Sequence, residues 1–239
     1  KKKMREKVKD SYDLSILNTS TPAEKVVSMV MNAQFFAERN GLEESGIRML
    51  FYGLSGTGKT ELARYIAEKL NKKICLKRVS DIMSPYVGEN EQNIAKAFAE
   101  AEASGDVLLF DEADSFFSNR KDAVRSWERT LVNEFLTQME EFSGILICTT
   151  NLKNIMDPAM QRRFHILTEF KPLKKEGIEK LLSKFFSAYE FDSKSKEKLL
   201  RYDSVTPGDF GSLAGKIRFM EPSEISSEIR SLQPLTGHH

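Results

Sequence analysis

The stretch IRMLFYGLSGTGKTEL, residues 47–62, decides the fold of this chain. Its apolar first part lacks alternation, as expected for a strand that is covered on both faces of a parallel sheet. Residues 53–60 match the pattern G-x-x-x-x-G-K-[ST], and the spacing of Leu62, Ile66 and Leu70 predicts a helix after it. A Gly-rich loop between a strand and a helix is the setting in which this pattern binds phosphate. We therefore interpret the stretch as a nucleotide-binding loop.

The residue types in this loop fit the chemistry of a bound triphosphate. Glycines at positions 56 and 58 let backbone N–H groups approach the phosphates without a Cβ clash. Lys59 is expected to reach the β- and γ-phosphate oxygens, and the hydroxyl of Thr60 is expected to ligate Mg²⁺. The predicted ATP-binding residues of the loop are Gly53, Ser55, Gly56, Thr57, Gly58, Lys59, Thr60 and Glu61.

Two further apolar runs end in polar residues, and both are predicted to be strands of the same sheet. VLLF, 107–110, leads into Asp111 and Glu112, and ILIC, 145–148, leads through two threonines to Asn151. Ligands of α/β sheets bind at the carboxyl ends of the strands, so these side chains are expected near the phosphates. Asp111 is assigned to Mg²⁺, Glu112 to activation of the attacking water, and Asn151 to the γ-phosphate or the water. The alternatives without a functional role are that Asp111 and Glu112 belong to a solvated acidic loop and that Asn151 lies in a turn at the end of a strand.

Composition restricts the class of protein. The 239 residues carry a net charge of +1, which gives no support for broad nucleic-acid binding. No apolar run is long enough for a membrane span, and no signal-peptide pattern opens the chain. Cys75 and Cys148 are expected to be buried thiols in a reducing cytosol. The first residue is not Met and the last two are histidines, so we expect an excised fragment with part of a tag.

Strand and helix patterns alternate up to about residue 171, and helical patterns follow. The alternation predicts βαβ crossovers and a doubly wound parallel sheet, and the helical remainder predicts a small second domain. The expected divisions are an arm at 1–11, a P-loop core at 12–170, a helical lid at 171–232 and a tail at 233–239.

The motifs stand in the order and spacing of the AAA+ ATPases, and the chain resembles the AAA clade of that family over roughly residues 12–220. GLSGTGKT resembles Walker A, LLFDEAD resembles Walker B, CTTN resembles the sensor 1 strand, and MDPAMQRRFH, 156–165, resembles the arginine-finger stretch. The resemblance implies ATP and Mg²⁺ as ligands. It also implies an αβα P-loop NTPase core with a five-stranded parallel sheet in the order 5-1-4-3-2 and a helical lid.

Residues 80–101 are similar to the segment of the AAA clade that carries an aromatic–hydrophobic–Gly loop. In the family this loop lines the pore of a hexamer and grips a polypeptide. The resemblance assigns that role here to Tyr86, Val87 and Gly88. A ring beside a branched aliphatic side chain can contact an extended peptide without demanding a particular sequence. A local turn in which Tyr86 packs against its neighbours is the alternative.

The resemblance also assigns the adjacent arginines Arg162 and Arg163. It makes one or both of them fingers that reach the γ-phosphate bound by a neighbouring subunit, with Arg163 preferred. The solvated entry of a strand is the alternative. Ile16 and Leu17 occupy the region in which the family contacts adenine, so they are assigned to nucleotide binding by position.

These observations predict an ATP hydrolase, interpreted as the module of a bacterial, cytoplasmic protein remodeller. Mg-ATP hydrolysis at the interfaces of a ring, expected to be a hexamer, would drive unfolding or disassembly of a protein substrate through a central pore. One rival is a DNA-associated AAA+ ATPase of the loader or initiator type. A second rival is a scaffold that binds nucleotide without hydrolysing it.

Overall fold

The computed structural model describes most of the chain. The described residues are 13–41, 46–84, 86, 88–117, 126–152, 158–187, 197, 199–221 and 224, without the side chains at 115, 126–129, 158 and 159. The predictions for Val87, the arm 1–11 and the tail 233–239 therefore lie outside the described residues. The described residues form two compact units. The first unit contains Glu24–Gly53 and Lys59–Glu169, and the second contains the described residues before Glu24, Leu54–Gly58 and those from Phe170 onwards.

A six-stranded, mostly parallel sheet organises the fold. Its strands are β1 (Asn18–Thr19), β2 (Ile47–Gly53), β3 (Ile74–Arg78), β4 (Val107–Asp111), β5 (Ile145–Thr150) and β6 (Ile166–Lys171). The order across the sheet is β1-β6-β2-β5-β4-β3. The pairs β2/β5, β5/β4 and β4/β3 are parallel, and β1 is antiparallel to β6.

The predicted fold class is confirmed, with one correction to the strand count. Counted from β2, the five longer strands stand in the predicted order 5-1-4-3-2. The sixth strand, β1, pairs Asn18 with Lys171 and Thr19 with Phe170. Two residues are too few to show hydrophobic alternation, so no sequence pattern could predict this strand.

The helices and one 3₁₀ turn complete the described secondary structure. The turn is Leu14–Ile16, and the helices are α1 (Ala23–Arg39), α2 (Lys59–Lys69), α3 (Val79–Ile82), α4 (Glu89–Ser104), α5 (Asp114–Phe117), α6 (Ser126–Glu141), α7 (Pro158–Gln161), α8 (Lys175–Phe186) and α9 (Pro207–Ile217). The helix predicted after the Gly-rich loop is present as α2. None of the helices in the described ranges is long and apolar enough to cross a membrane.

The core of the first unit is aromatic. Phe98 from α4, Phe110 from β4 and Phe135 from α6 lie with ring centroids 5.2–5.9 Å apart, and Phe116 stacks on Phe135 at 4.4 Å. Burial of side chains of this size contributes roughly 2–3 kcal/mol each. The packing fixes β4 against α4 and α6, and so fixes the place of Asp111 at the end of that strand.

The second unit has its own apolar cluster. Ile16 packs there with residues of α8, α9 and the segments before them, including Leu173, Ile178, Leu181, Phe186, Val205, Phe210 and Leu213. Helix α9 begins with a capping box, in which Thr206 N–H and Oγ1 donate to Asp209 Oδ2 at 2.7 and 2.9 Å. Pro207 occupies the first turn of the helix, where the missing N–H of proline breaks no helical hydrogen bond.

Candidate active site

Lys59 lies at the start of α2, and its side chain is buried. Its Nζ donates to Gly53 O at 2.8 Å and to Asn151 Oδ1 at 2.9 Å. Only 7% of the residue is exposed, although its charge is expected to meet phosphate. Burial lowers the pKa of Lys59 to about 8, and the nearby carboxylates of Asp114, Asp111 and Glu112 oppose that shift. The structure thus brings Lys59 and Asn151 together.

Thr60 and Asp111 also meet, at the end of β4. Thr60 Oγ1 donates to Asp111 Oδ1 at 2.8 Å, and Thr149 Oγ1 donates to the same oxygen at 2.6 Å. Hydroxyl and carboxylate oxygens are the ligands that Mg²⁺ prefers, so this pair fits the ion. Among the described residues, no three His, Cys, Asp or Glu side chains form a metal site by themselves. Mg²⁺ would therefore bind here together with the phosphates of the nucleotide.

Glu112 follows Asp111 in a backbone conformation that non-glycine residues seldom adopt. Its φ is 56°, in the left-handed region, and its side chain is exposed. Its N–H donates to Thr149 Oγ1 at 3.0 Å, and Ala113 N–H donates to Thr149 O at 2.8 Å. A strained residue of this kind, held by neighbouring bonds, is typical of functional sites. The Glu112 side chain is therefore exposed directly after the buried strand β4.

Asp114 supports the end of β5 by accepting hydrogen bonds from it. Its Oδ1 accepts the hydroxyl of Thr150 and the N–H of Asn151, the latter at 3.0 Å. Thr149, Thr150 and Asp114 were missed by the sequence analysis. The letters CTTN and DEAD contain them, but every residue of β5 is buried, so no alternation indicates which threonine contacts which carboxylate.

The segment Leu54–Gly58, which lies in the second unit, has the backbone of a tight loop. Gly56 has a φ of 74° and Gly58 a φ of 100°, and Thr57 Oγ1 donates to Leu54 O at 2.7 Å. Gly208 N–H of α9 donates to Gly56 O at 2.8 Å. A Cβ atom on Gly56 would lie 2.9 Å from Thr206 Oγ1, so only glycine fits. Ser55 is exposed.

The arginine pair lies in the turn before β6, and its two members differ. The Nε of Arg163 forms an ion pair with Glu140 at the end of α6, and its side chain is 34% exposed. Arg162 is exposed. Glu140 is another residue that the sequence analysis missed, because 23 positions separate it from its partner Arg163.

The remaining predicted site residues lie on or near the surface or in the second unit. Tyr86 is 68% exposed, and Gly88 has a φ of 84° directly before α4. Glu61 is exposed and forms an ion pair with Arg64 at 3.7 Å. Ile16 is buried in the apolar cluster of the second unit and Leu17 is half-buried. Their assignment to adenine stays a prediction.

The geometry brings the predicted Walker-type Lys, Thr and Asp together at the carboxyl ends of β2 and β4, an arrangement typical of P-loop nucleotide sites. Residues 49–172 match the model of the ATPase family associated with various cellular activities (AAA). The chain belongs to this family, and it is an ATP hydrolase.

Relatives support the same fold. Protein SAV of Sulfolobus acidocaldarius is 36% identical over 141 residues, which are 56% of this chain and 18% of that protein. The chain thus spans under a fifth of the length of this curated relative. Two solved structures share the fold at 19% identity. The E. coli MS115-1 HORMA:CdnC:Trip13 complex gives a TM-score of 0.70, with 91% of this chain and 89% of the other covered. The FIGL-1 AAA domain in complex with ADP gives a TM-score of 0.66, with 93% of this chain and 84% of the other covered.

Proposed function

We propose that this ATPase works as a ring of identical chains, a hexamer, and uses hydrolysis of Mg-ATP to remodel a protein substrate. Within the chain, the Gly-rich loop and Lys59 would hold the β- and γ-phosphates, and Thr60 with Asp111 would hold Mg²⁺. The bound ion would neutralise developing charge on the phosphate oxygens. Glu112 would take the proton of the attacking water, and Asn151 would orient that water or the γ-phosphate.

The position of the arginine pair carries the proposal of a ring. The backbone of His165, two residues after Arg163, donates to Arg48 O at 2.9 Å, and Arg48 stands near the start of β2. The phosphate loop begins at the opposite end of that strand, at Gly53. Five residues of extended strand span about 16 Å, beyond the reach of one arginine side chain. Arg162 and Arg163 are thus badly placed for their own nucleotide, and a neighbouring chain is the natural recipient.

The exposed ring of Tyr86 supports the choice of a protein substrate. Its backbone N–H donates to Ser84 Oγ at 3.3 Å, while the aromatic side chain stays 68% exposed. Solvent-exposed aromatic rings offer a large contact area at little conformational cost. We propose that Tyr86, with Val87 and Gly88, grips the substrate chain.

The two free thiols, Cys75 and Cys148, support a cytoplasmic location.

The decisive experiment measures the ATPase rate per chain as a function of protein concentration, with wild type, Arg162→Ala and Arg163→Ala in parallel. The specific activity of wild type should rise with concentration and level off as rings form. Arg163→Ala should stay about a thousandfold lower, as for other arginine fingers, while its affinity for ADP is unchanged. Full activity of wild type at high dilution would rule out a site that a neighbour completes.

A further inference from the structure

One charged residue interrupts the apolar strand β2. Arg48 is half-buried between Ile47 and Met49, which are buried. Its guanidinium contacts no carboxylate among the described residues. It is instead surrounded by backbone oxygens and one histidine, an arrangement that suits the planar fork of arginine and no other side chain.

The guanidinium joins two separate segments of the first unit. Its Nε donates to Arg163 O at 2.9 Å, and its Nη1 donates to Met139 O and Glu140 O, both at 3.3 Å. The last carbonyls of a helix have no partner within the helix, so Arg48 caps the C-terminus of α6. The same side chain thereby fixes the end of α6 relative to the backbone of Arg163.

Both ring nitrogens of His165 contact Arg48. Arg48 N–H donates to its Nδ1 at 3.2 Å, and Arg48 Nη2 lies 3.1 Å from its Nε2. The pKa of His165 lies below its ordinary value, because burial disfavours the charged ring and Arg48 repels it. A neutral imidazole has one N–H and one acceptor nitrogen, so in either tautomer one of the two ring nitrogens accepts a hydrogen bond from Arg48.

We infer that Arg48 is a positioning residue for the arginine pair, and that it acts through Arg163 on the ATP site of the neighbouring chain. The inference rests on the proposed function. Arg48 holds the carbonyl of Arg163 directly, and it holds the helix end that carries Glu140, the ion-pair partner of the Arg163 side chain. Without Arg48, the turn at 162–163 and the end of α6 lose the guanidinium that bonds to both of them. Arg48 is about 16 Å along the strand from its own phosphate loop, so its own site stays intact.

The test uses Arg48→Met and Arg48→Lys, with Arg201→Met as the matched control. Arg201 is an exposed arginine, and Arg201→Met removes its ion pair with Glu197. At a concentration where wild type has reached its full specific activity, Arg48→Met should lose roughly ten- to hundredfold in turnover, as expected for a misplaced catalytic group. Arg48→Lys keeps the charge but not the fork, so its loss should be smaller. ADP affinity should stay within about twofold in both, and Arg201→Met should match wild type.

Mixing experiments separate an effect on the neighbour from an effect on the own site. Glu112→Gln chains have an intact arginine pair but an inactive site, so they can complete the site of an Arg48→Met chain. In an equimolar mixture about a quarter of the interfaces join an intact site to an intact finger, and activity should recover accordingly. Arg163→Ala mixed with Glu112→Gln is the reference, because it must recover if the ring proposal is right.

The outcomes distinguish the two proposals. Recovery with Arg163→Ala but not with Arg48→Met would overturn the inference about Arg48 and leave the ring standing. No recovery with either variant would overturn both. Full turnover of Arg48→Met by itself would also overturn the inference. If Arg48→Met fails to fold, Arg48→Lys goes through the same mixture, and its partial loss should be complemented in the same way.

Discussion

The nucleotide side of the first unit and the loop at Tyr86 are built on opposite plans. Around Lys59, Asp111 and Thr149, polar side chains are buried or half-buried, and each is held by at least one bond to another strand end or to the loop. At Tyr86 the bonds go to the backbone, since Ser84 Oγ accepts the Tyr86 N–H while the ring projects into solvent.

The difference follows from what each region has to recognise. Phosphoryl transfer requires groups that are already in place before the reaction, because misplacement by even 1 Å costs about a hundredfold in rate. A loop that contacts many polypeptide sequences requires a fixed anchor and a side chain without a fixed partner. Substitutions on the nucleotide side should therefore damage hydrolysis, whereas a substitution at Tyr86 should not.

Among the substitutions that test this difference between the two regions, Thr149→Val is expected to have the largest effect. Thr149 donates to Asp111 Oδ1 at 2.6 Å and accepts the N–H of Glu112 at 3.0 Å, so one hydroxyl orients the Asp111 carboxylate and the backbone of Glu112. Valine has nearly the same shape but lacks these bonds. Loss of such a supporting bond typically costs ten- to hundredfold, so turnover should fall by about that factor. Steady-state ATPase assays measure it, and thermal unfolding reports any change in stability.

The chain offers a matched control for this variant. Thr168 is also fully buried in a strand, and its hydroxyl has no hydrogen-bond partner in the described part of the chain. Thr168→Val should keep full turnover and be as stable as wild type or more so, because it removes an unpaired buried hydroxyl. Equal turnover for the two variants would mean that the bonds of Thr149 do not orient the site.

A smaller effect is expected in the pH dependence of nucleotide binding. The pKa of Lys59 is about 8 because burial disfavours its charge, and a bound phosphate favours the charged form. Binding therefore raises this pKa and takes up a proton, so affinity should fall as pH rises above 8, by about tenfold between pH 7 and 9. Phosphate groups are already ionised in this range, so they do not contribute to the change.

Calorimetry in buffers of different ionisation enthalpy measures the proton uptake directly. Lys59→Arg is the control, because arginine keeps its charge at any pH that a folded protein tolerates. Its affinity is expected to be lower but independent of pH from 7 to 9. The same slope in both proteins would place the titrating group elsewhere.

Much of the nucleotide side could be predicted from sequence, and the reason is local. Asp111 ends β4, Asn151 directly follows β5, and Lys59 and Thr60 follow β2 after the Gly-rich loop. Strand patterns and this loop therefore suffice to place the four residues at one end of the sheet. Contacts between distant segments could not be predicted in this way. That Thr149 meets Asp111 depends on the register of β4 against β5, in which Phe110 pairs with Cys148.

The contacts of Arg48 could not be predicted from the sequence either. Its position in an apolar strand is visible in the sequence, but its partners lie at 139, 140, 163 and 165, on α6 and in the turn before β6. Hydrophobic periodicity reports which face of an element is buried, not which carbonyl ends opposite a guanidinium. Helix α1, in contrast, could have been predicted from the sequence, because the buried residues Val26, Val30 and Ala37 recur at helical spacing.

The smallest effect on hydrolysis is expected from Tyr86→Ala, and this variant tests the comparison most sharply. The Ser84 hydroxyl, which accepts the Tyr86 N–H, donates to Glu89 Oε2 at 2.5 Å, and Ser84 N–H donates to Asn90 Oδ1 at 2.6 Å. These bonds do not involve the tyrosine ring, so the loop should keep its shape and basal turnover should stay within about twofold of wild type. Stimulation of turnover by an unfolded polypeptide such as casein should be lost, whereas Tyr86→Phe should retain it, because the ring supplies the contact area. Loss of basal turnover in Tyr86→Ala would show that the exposed ring belongs to the ATP site after all, and the division between a fixed nucleotide side and a permissive loop would fail.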